Sequence, residues 1–566
     1  MRRRVLSLFV ASCFVALADA RLVHALSHPV RARNGMVTSQ DFIATQVGAE
    51  VLRDGGNAVD AAVATAFALA VTHPAAGNIG GGGFLLLRPA QGEPVAYDFR
   101  EKAPSGASPT MFLKDGAYDA ERHHESHLAV GVPGTVAGLH LAWKEKGSLS
   151  WKRILRPAVA LARDGLYVSD GLARSLKEVL PQMKRYPAAV AQFSRKGVPY
   201  EAGDLLKQPD LARTLERIAE EGPAGFYQGE TARLIVNEMK AGGGLIKEAD
   251  LQAYEPKRRT PLRSTYRGYE VLSMPPVSSG GTALLEMLNI LEGEDLSATG
   301  FGSAASVHLI TEAMRRAFAD RARYLGDPEF NPEVPVERLI SKDHAKSLRA
   351  TIHPRRASKS SPLSFEWPAE SSETTHVSVV DEQRNAVSLT YTLEDSYGAK
   401  IVVPGAGFLL NNEMGDFNAG PGLTNEAGLI GTDPNLAAAG KRMVSSMTPT
   451  ILGKDGKLFM VIGSPGGRTI INTVLLTILN VIDFGMNVQD AIDAPRFHHQ
   501  WLPDRVLYEK RGLSPDTTAL LSTWGHDVQE SPRPQGAAQG IVYDAKADLL
   551  EGGADHRSPD SAAVGH

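Results

Sequence analysis

A polar, proline-broken stretch from His353 to Glu373 leads straight into Thr374-Thr375-His376-Val377-Ser378-Val379-Val380, a run with the alternation of a strand. An exposed, flexible segment that ends on a strand-opening threonine suits a precursor cut before Thr374. The freed residue would carry a nucleophilic hydroxyl and, on the same residue, an α-amine to activate it. An α-amine titrates at about pH 8, so part of it is free to take a proton at physiological pH. A threonine in an ordinary strand is the competing reading, because threonine favours strands; the surroundings decide between the two.

Those surroundings read as a hairpin. Residues 374–380 alternate, Asp381-Glu382-Gln383-Arg384-Asn385 form a five-residue polar loop, and Ala386-Val387-Ser388-Leu389-Thr390-Tyr391-Thr392 alternate again. Pairing about Gln383 sets Val379 opposite Val387, Val377 opposite Leu389 and Thr375 opposite Tyr391. That makes one face mostly apolar, and a one-residue slip would destroy the match. The same register sets Thr374 opposite Thr392, with Cβ atoms roughly 5 Å apart. A second hydroxyl therefore stands beside the candidate nucleophile.

From Thr374 to Phe417 the sequence resembles the small-subunit start of γ-glutamyltranspeptidases (glutathione hydrolases). The likeness extends over nearly the whole chain after the leader. Gly55-Gly56-Asn57-Ala58-Val59-Asp60-Ala61-Ala62, Gly80-Gly81-Gly82-Gly83-Phe84 and Tyr97-Asp98-Phe99-Arg100-Glu101 carry it at the front. Ser445-Ser446-Met447-Thr448-Pro449-Thr450 and Gly463-Ser464-Pro465-Gly466-Gly467 carry it further on. The resemblance implies an N-terminal-nucleophile hydrolase: an α/β (α+β) four-layer αββα sandwich, made as a proenzyme that cuts itself between Glu373 and Thr374. On that basis residues 21–373 form a large subunit and 374–566 a small one, together one globular heterodimer. No cofactor and no metal is expected.

Composition narrows the alternatives. With 566 residues, 43% of them hydrophobic, the chain can bury a large core. No linker divides it cleanly and no repeat of solenoid period is present. A formal net charge of −4 argues against a nucleic-acid partner held through phosphates. At the N-terminus, Arg2-Arg3-Arg4 precedes an apolar stretch from Val5 to Ala18, and Ala18-Asp19-Ala20 has the small-x-small form of a signal-peptidase site. The stretch is too short for a comfortable transmembrane anchor, so residues 1–20 read as a signal peptide for export to the periplasm or outside. Val10-Ala11-Ser12-Cys13 offers a rival, a lipid anchor through Cys13. Cys13 is the single cysteine, so the mature chain has no disulfide, thiol nucleophile or cysteine metal site.

The coarse pattern is helix mixed with strand. Gln46 to Arg53, Ala58 to Val71, Val136 to Lys146, Arg153 to Asp164, Ala304 to Tyr324 and Thr473 to Val481 read as helices. Asn57 is a plausible N-cap for the second, which is apolar almost all round. Leu85 to Arg88, Val95 to Phe99 and Leu458 to Ile462 read as strands. Helices with antiparallel hairpins suit sheets sandwiched between helix layers.

Other residues have candidate roles. Gly466-Gly467 lies between a strand and a helix-like run, where backbone N–H groups meet a developing oxyanion or a turn needs positive φ; the resemblance assigns the oxyanion. Gly80 to Gly83 lacks a P-loop's lysine and Ser/Thr and reads as close backbone packing. Arg100, at a strand end, offers a fork for a carboxylate or a structural ion pair. The resemblance makes it the anchor of a γ-glutamyl α-carboxylate, with Ser445 and Ser446, and gives the α-ammonium to Glu394, Glu413 and Asp416. Many relatives have amides where Glu394 and Glu413 stand, so this pocket is more anionic. His123-His124-Glu125-Ser126-His127 is no HExxH motif and reads as a solvated loop or helix end. His498-His499 reads as packing or surface, and His376 either orients the site or makes a structural hydrogen bond. Asn418 to Gly428 is rich in turn formers and reads as a mobile loop; it aligns with a pocket cover in which some relatives place a tyrosine at Ala427.

The implied activity is cleavage of the γ-glutamyl amide of glutathione through a Thr374 ester, passed to water or to an amino-acid or dipeptide acceptor. A cephalosporin-type acylase and a periplasmic amino-acid-binding protein are the alternatives.

Overall fold

The computed structural model describes residues 27–360, 374–423 and 432–566. The leader with Cys13, Glu373 and Ala427 lie outside the described residues. Two seven-stranded, wholly antiparallel sheets lie face to face. In spatial order the first contains Lys257–Arg259, Val95–Phe99, Gly82–Arg88, Ala386–Thr392, Thr375–Val380, Met36–Ser39 and Ala562–Gly565. The second contains Val30–Ala32, Leu549–Ala554, Gln539–Asp544, Lys457–Gly463, Thr450–Lys454, Tyr269–Ser273 and Leu262–Tyr266. Each sheet thus interleaves strands from before and after Thr374.

Strand alternation sorts the side chains into three cores. Leu85, Leu87, Val377, Val379, Val387 and Leu389 face outward, against the helices Phe42–Arg53 and Ala58–Thr72. Their neighbours Phe84, Leu86, Val380 and Ala386 face inward, meeting Leu272, Ile451, Val461 and Ile541 of the second sheet. Met460 and Ile462, on either side of Val461, turn out again to Gly280–Leu291, Ala304–Tyr324 and Thr469–Ile482. The period of two therefore yields helix, sheet, sheet and helix in succession, the four-layer arrangement.

The expected hairpin forms in the expected register, with Thr375 opposite Tyr391, Val377 opposite Leu389 and Val379 opposite Val387. Asn57 caps its helix in a capping box: its Oδ1 accepts from Val59 and Asp60 N–H, and the Asp60 carboxylate accepts from Asn57 N–H. Every residue of that helix is buried, as its all-round apolarity demands. The first helix starts earlier than its periodicity suggests, at Phe42, because Asp41 caps it through Ala44 N–H.

Between the sheets lies a polar row. His376 sits with Nδ1 2.7 Å from Thr390 Oγ1 and Nε2 3.0 Å from Ser378 Oγ. Gly463 faces it, and a Cβ there would lie 2.2 Å from the ring. Of the two roles considered for His376, the structural hydrogen bond is the one present. Burial pushes its pKa down to about 3. An unfolded histidine takes its proton at about 6.5, so between these values the unfolded state binds more protons and stability falls with falling pH. Between pH 7 and pH 5 this one group removes about 2 kcal/mol. In an uncut Thr374→Ala chain, His376→Asn should shrink the pH 7-to-5 stability loss by that amount in urea titrations. An unchanged loss would assign the acid response to other groups.

Candidate active site

Thr374 opens its strand on the face turned toward the second sheet, and its Oγ1 donates to Thr392 Oγ1 at 3.4 Å. Thr392 is fixed from three sides. Its hydroxyl accepts from Glu394 N–H at 2.9 Å, its carbonyl accepts from Asn78 Nδ2 at 2.9 Å, and Gly81 packs on that carbonyl. A Cβ on Gly81 would lie 2.0 Å from Thr392 O, and one on Gly83 2.4 Å from Thr390 O. The glycine run is therefore a packing surface beneath the hydroxyl pair, as read from the sequence.

Arg100 follows directly from the strand Val95–Phe99 and is fully buried. Its Nη1 donates to Glu413 and its Nη2 to Asp416; Nε and Nη2 also reach the carbonyls of Met443 and Val444 at 3.3 and 3.2 Å. Glu101 lies 3.6 Å from Nη1. Burial opposes the charge on Arg100, but Glu413, Asp416 and Glu101 together hold it firmly protonated. Burial also pushes the Glu101 carboxyl up to about 7 and that of Glu413 well above the usual range, against the pull of Arg100. Glu413 and Asp416 sit at the two ends of one 3₁₀ turn, whose i, i+3 eclipse sends both acids the same way. Asn411 fixes the turn by accepting from Glu413 N–H while donating to the carbonyls of Gly80 and Gly131. Glu394, held at φ +76°, brings another carboxylate, with His124 Nδ1 3.4 Å from it.

Thr374, Thr392, Arg100, Glu394, Glu413 and Asp416 line one cleft with Ser445, Ser446, Met447, Gly467 and Ile470. Gly466 and Gly467 make the turn from Lys457–Gly463 into the helix Thr469–Ile482, at φ +131° and +55°. Only glycine takes both conformations cheaply. The turn also sets the positive end of a fourteen-residue helix beside Thr374. Every residue singled out for catalysis or substrate binding thus lines this cleft, except Gly466, which adjoins it.

The structure corrects two readings. His123 to His127 is solvated only in part: Glu125 is exposed, but His123 is buried against Phe112, with Nε2 3.1 Å from Phe417 O, and His127 pairs with Glu238 at 2.9 Å. His124, between them, is part-buried with Nδ1 3.4 Å from Glu394, a mixed pattern too short for periodicity to reveal. The start of the presumed mobile loop is anchored: Asn418 and Ala419 are buried, and Asn418 Nδ2 donates to Thr432 O at 2.6 Å. The start of the segment before Thr374 is exposed at His353–Arg356 and Lys359, as read from the sequence, and is tethered through Ser358 N–H to Glu312 and Ser360 N–H to Asp504. His498 and His499 are buried packing groups, bonded to Asn472 and Asp504. Among the described residues, the groupings that could hold a metal are His308–Glu312–His526 and Glu286–Asp320–His344; neither lines the cleft. Sequence reasoning missed Asn78, Asn411, Glu101 and His124. For Glu101 alone there was a signal, its place next to Arg100.

Similarity to known proteins covers nearly the whole chain. The gamma-glutamyltranspeptidase family model matches residues 44–565. A glutathione hydrolase proenzyme of Escherichia coli (strain K12) is 48% identical over 579 aligned residues, covering 100% of this chain and 99% of that protein. The crystal structure of a cephalosporin acylase from Bacillus halodurans superposes with a TM-score of 0.85 at 28% identity, covering 97% of this chain and 98% of that one. That of Helicobacter pylori gamma-glutamyltranspeptidase matches at 47% identity and a TM-score of 0.55, covering 56% of this chain and 91% of that one.

Proposed function

Because this chain belongs to the gamma-glutamyltranspeptidase family, we propose how its cleft divides the work of the family's reaction. The protein is a γ-glutamyltransferase and glutathione hydrolase of the N-terminal-nucleophile type, made as a proenzyme and processed to two associated subunits. In our reading Thr374 Oγ1 first attacks the carbonyl carbon of Glu373. The peptide becomes an ester as its C–N bond breaks and the Thr374 α-amine is freed; water then hydrolyses the ester, releasing the Glu373 carboxylate and restoring the hydroxyl. Residues 21–373 and 374–566 are then the two subunits.

In turnover the Thr374 hydroxyl attacks the γ-carbonyl carbon of a donor such as glutathione. Its proton passes to the Thr374 α-amine and on to the leaving amine as the C–N bond breaks. Gly466 and Gly467 N–H groups receive the oxyanion. Water or the amine of an amino acid or dipeptide then resolves the γ-glutamyl ester and restores the hydroxyl. Thr392 orients the nucleophile. Arg100, Ser445 and Ser446 take the donor's α-carboxylate, and Glu394, Glu413 and Asp416 take its ammonium. One observation carries this reading: a hydroxyl pair, a buried guanidinium and an excess of carboxylates converge in one small cleft. A zwitterionic amino-acid head offers a carboxylate to the guanidinium and an ammonium to the carboxylates. The likeness to a cephalosporin acylase favours a second reading, in which the acyl group has no α-ammonium.

Anilide assays separate the two. The γ-glutamyl anilide should be preferred over the glutaryl anilide, which lacks the amine, by about 10²-fold or more, because unpaired polar groups reject the analogue. Glu394→Gln should narrow that preference by about tenfold, and added glycylglycine should yield transfer product. Equal turnover of both anilides would select the acylase. Among the described residues no helix is long and apolar enough to cross a membrane. Export through residues 1–20 is the matching proposal for location, and N-terminal sequencing of a periplasmic fraction tests it.

A further inference from the structure

Behind the serine pair stands an arginine that the reaction as described does not use. Arg321, in the last turn of Ala304–Tyr324, is 2% exposed. Its Nη2 donates to Ser446 Oγ at 2.9 Å and its Nε to Ser279 Oγ at 2.6 Å. Ser279 in turn donates to the Ser445 carbonyl twice, from Oγ at 2.6 Å and from N–H at 2.8 Å. Ser445 Oγ accepts from Met447 N–H at 3.1 Å. Each serine hydroxyl of the pair therefore receives a hydrogen bond from behind. A hydroxyl has one hydrogen to give, and with the rear lone pair engaged that hydrogen is left for a group in the cleft. Two hydroxyl hydrogens turned the same way suit an anion. A guanidinium bonded to one of those oxygens polarises it further and adds positive potential along the same line.

We propose that Arg321 is a positioning residue for the donor's α-carboxylate, acting through Ser446 directly and through Ser279 on Ser445. The proposal rests on the reading that the serine pair holds that carboxylate. Arg321 touches no reacting atom in this role. It fixes which way Ser446 donates and raises its strength as a donor, and through Ser279 it holds the backbone of Ser445 in place, so its contribution appears only with substrates that carry the carboxylate.

The test compares γ-glutamyl-4-nitroanilide with 4-aminobutyryl-4-nitroanilide, which lacks only the α-carboxylate. For Arg321→Gln, kcat/KM on the γ-glutamyl anilide should fall roughly 10- to 100-fold, the range for losing a hydrogen bond to a charged group. Most of that fall should be in KM, while the 4-aminobutyryl rate and conversion to two chains stay within about threefold of wild type. Arg321→Lys should restore part of the loss. Ser279→Ala, a smaller perturbation, should give the same selective pattern to a lesser degree. In a Ser446→Ala background, Arg321→Gln should cost less than it does alone, because the path it acts through is gone. Parallel losses on both anilides in Arg321→Gln and Ser279→Ala would make Arg321 a structural residue and overturn the proposal. Full additivity with Ser446→Ala would overturn it as well. Wild-type enzyme that does not prefer the γ-glutamyl anilide would overturn the carboxylate reading of the serine pair, and this proposal with it.

Discussion

Thr374→Ala is expected to purify as one polypeptide, with no γ-glutamyl ester detectable by mass spectrometry. Its turnover should fall by a factor on the order of 10⁴ to 10⁶, as loss of a nucleophile does elsewhere. Two steps should fail together in this variant, because in the proposed reaction one hydroxyl both cuts the chain and accepts the acyl group. Thr392 cannot substitute: its oxygen is 3.4 Å away and is held by Glu394 N–H. Thr374→Ser should keep both steps at a reduced rate, since the hydroxyl survives without the methyl that restricts its rotamer. Two chains from Thr374→Ala, divided at the same bond, would mean that another group or a protease makes the cut.

Arg100→Ala is the second large effect. Loss of γ-glutamyl turnover should correspond to about 2–4 kcal/mol in kcat/KM, as for a charge-assisted anchor buried against its partner. The change also leaves Glu101, Glu413 and Asp416 without the cation they surround. Glu101 and Glu413 already sit above their usual range through burial, so removing Arg100 should raise them further and make them bind protons at neutral pH. A group whose folded pKa exceeds its unfolded value stabilises most at low pH and loses that contribution as pH rises through the folded value. The variant's stability should therefore decline more steeply than that of wild type from pH 6 to pH 8 in thermal melts. Self-cleavage should persist, because a peptide bond presents no free α-carboxylate. Unchanged glutathione turnover would make Arg100 purely structural and favour the acylase reading.

What was legible in the sequence was what local period and turn chemistry control. The hairpin register followed from matching Val377, Val379, Val387 and Leu389, and with it the meeting of Thr374 and Thr392. The buried helix followed from Asn57 and the alanine run. Contacts made across the chain by side chains with no periodic signature were not legible. Asn411 joins the carbonyls of Gly80 and Gly131 from hundreds of residues away. Arg321 looks like any basic residue closing a helix until the serines pack on it. The state of Arg100 was half legible: resemblance names it as an anchor, but only the fold shows Glu413 and Asp416 already occupying its fork.

The order of strands has a consequence for the molecule after the cut. Met36–Ser39, which precedes Thr374, lies between Ala562–Gly565 and Thr375–Val380, which follow it; Gly82–Arg88 then continues the same sheet beyond Ala386–Thr392. In the second sheet Leu549–Ala554 through Thr450–Lys454 are flanked at either end by large-side strands. Separating the subunits would break ladders in both sheets and open the core between them. Before the cut, reaching this arrangement is a one-body search along a single chain; afterwards it is a two-body encounter whose success depends on concentration. Hydrolysing one bond therefore changes the molecularity of folding while leaving the fold in place. For a two-chain form of this kind, durability is set by how slowly the chains come apart and is measured as a half-life.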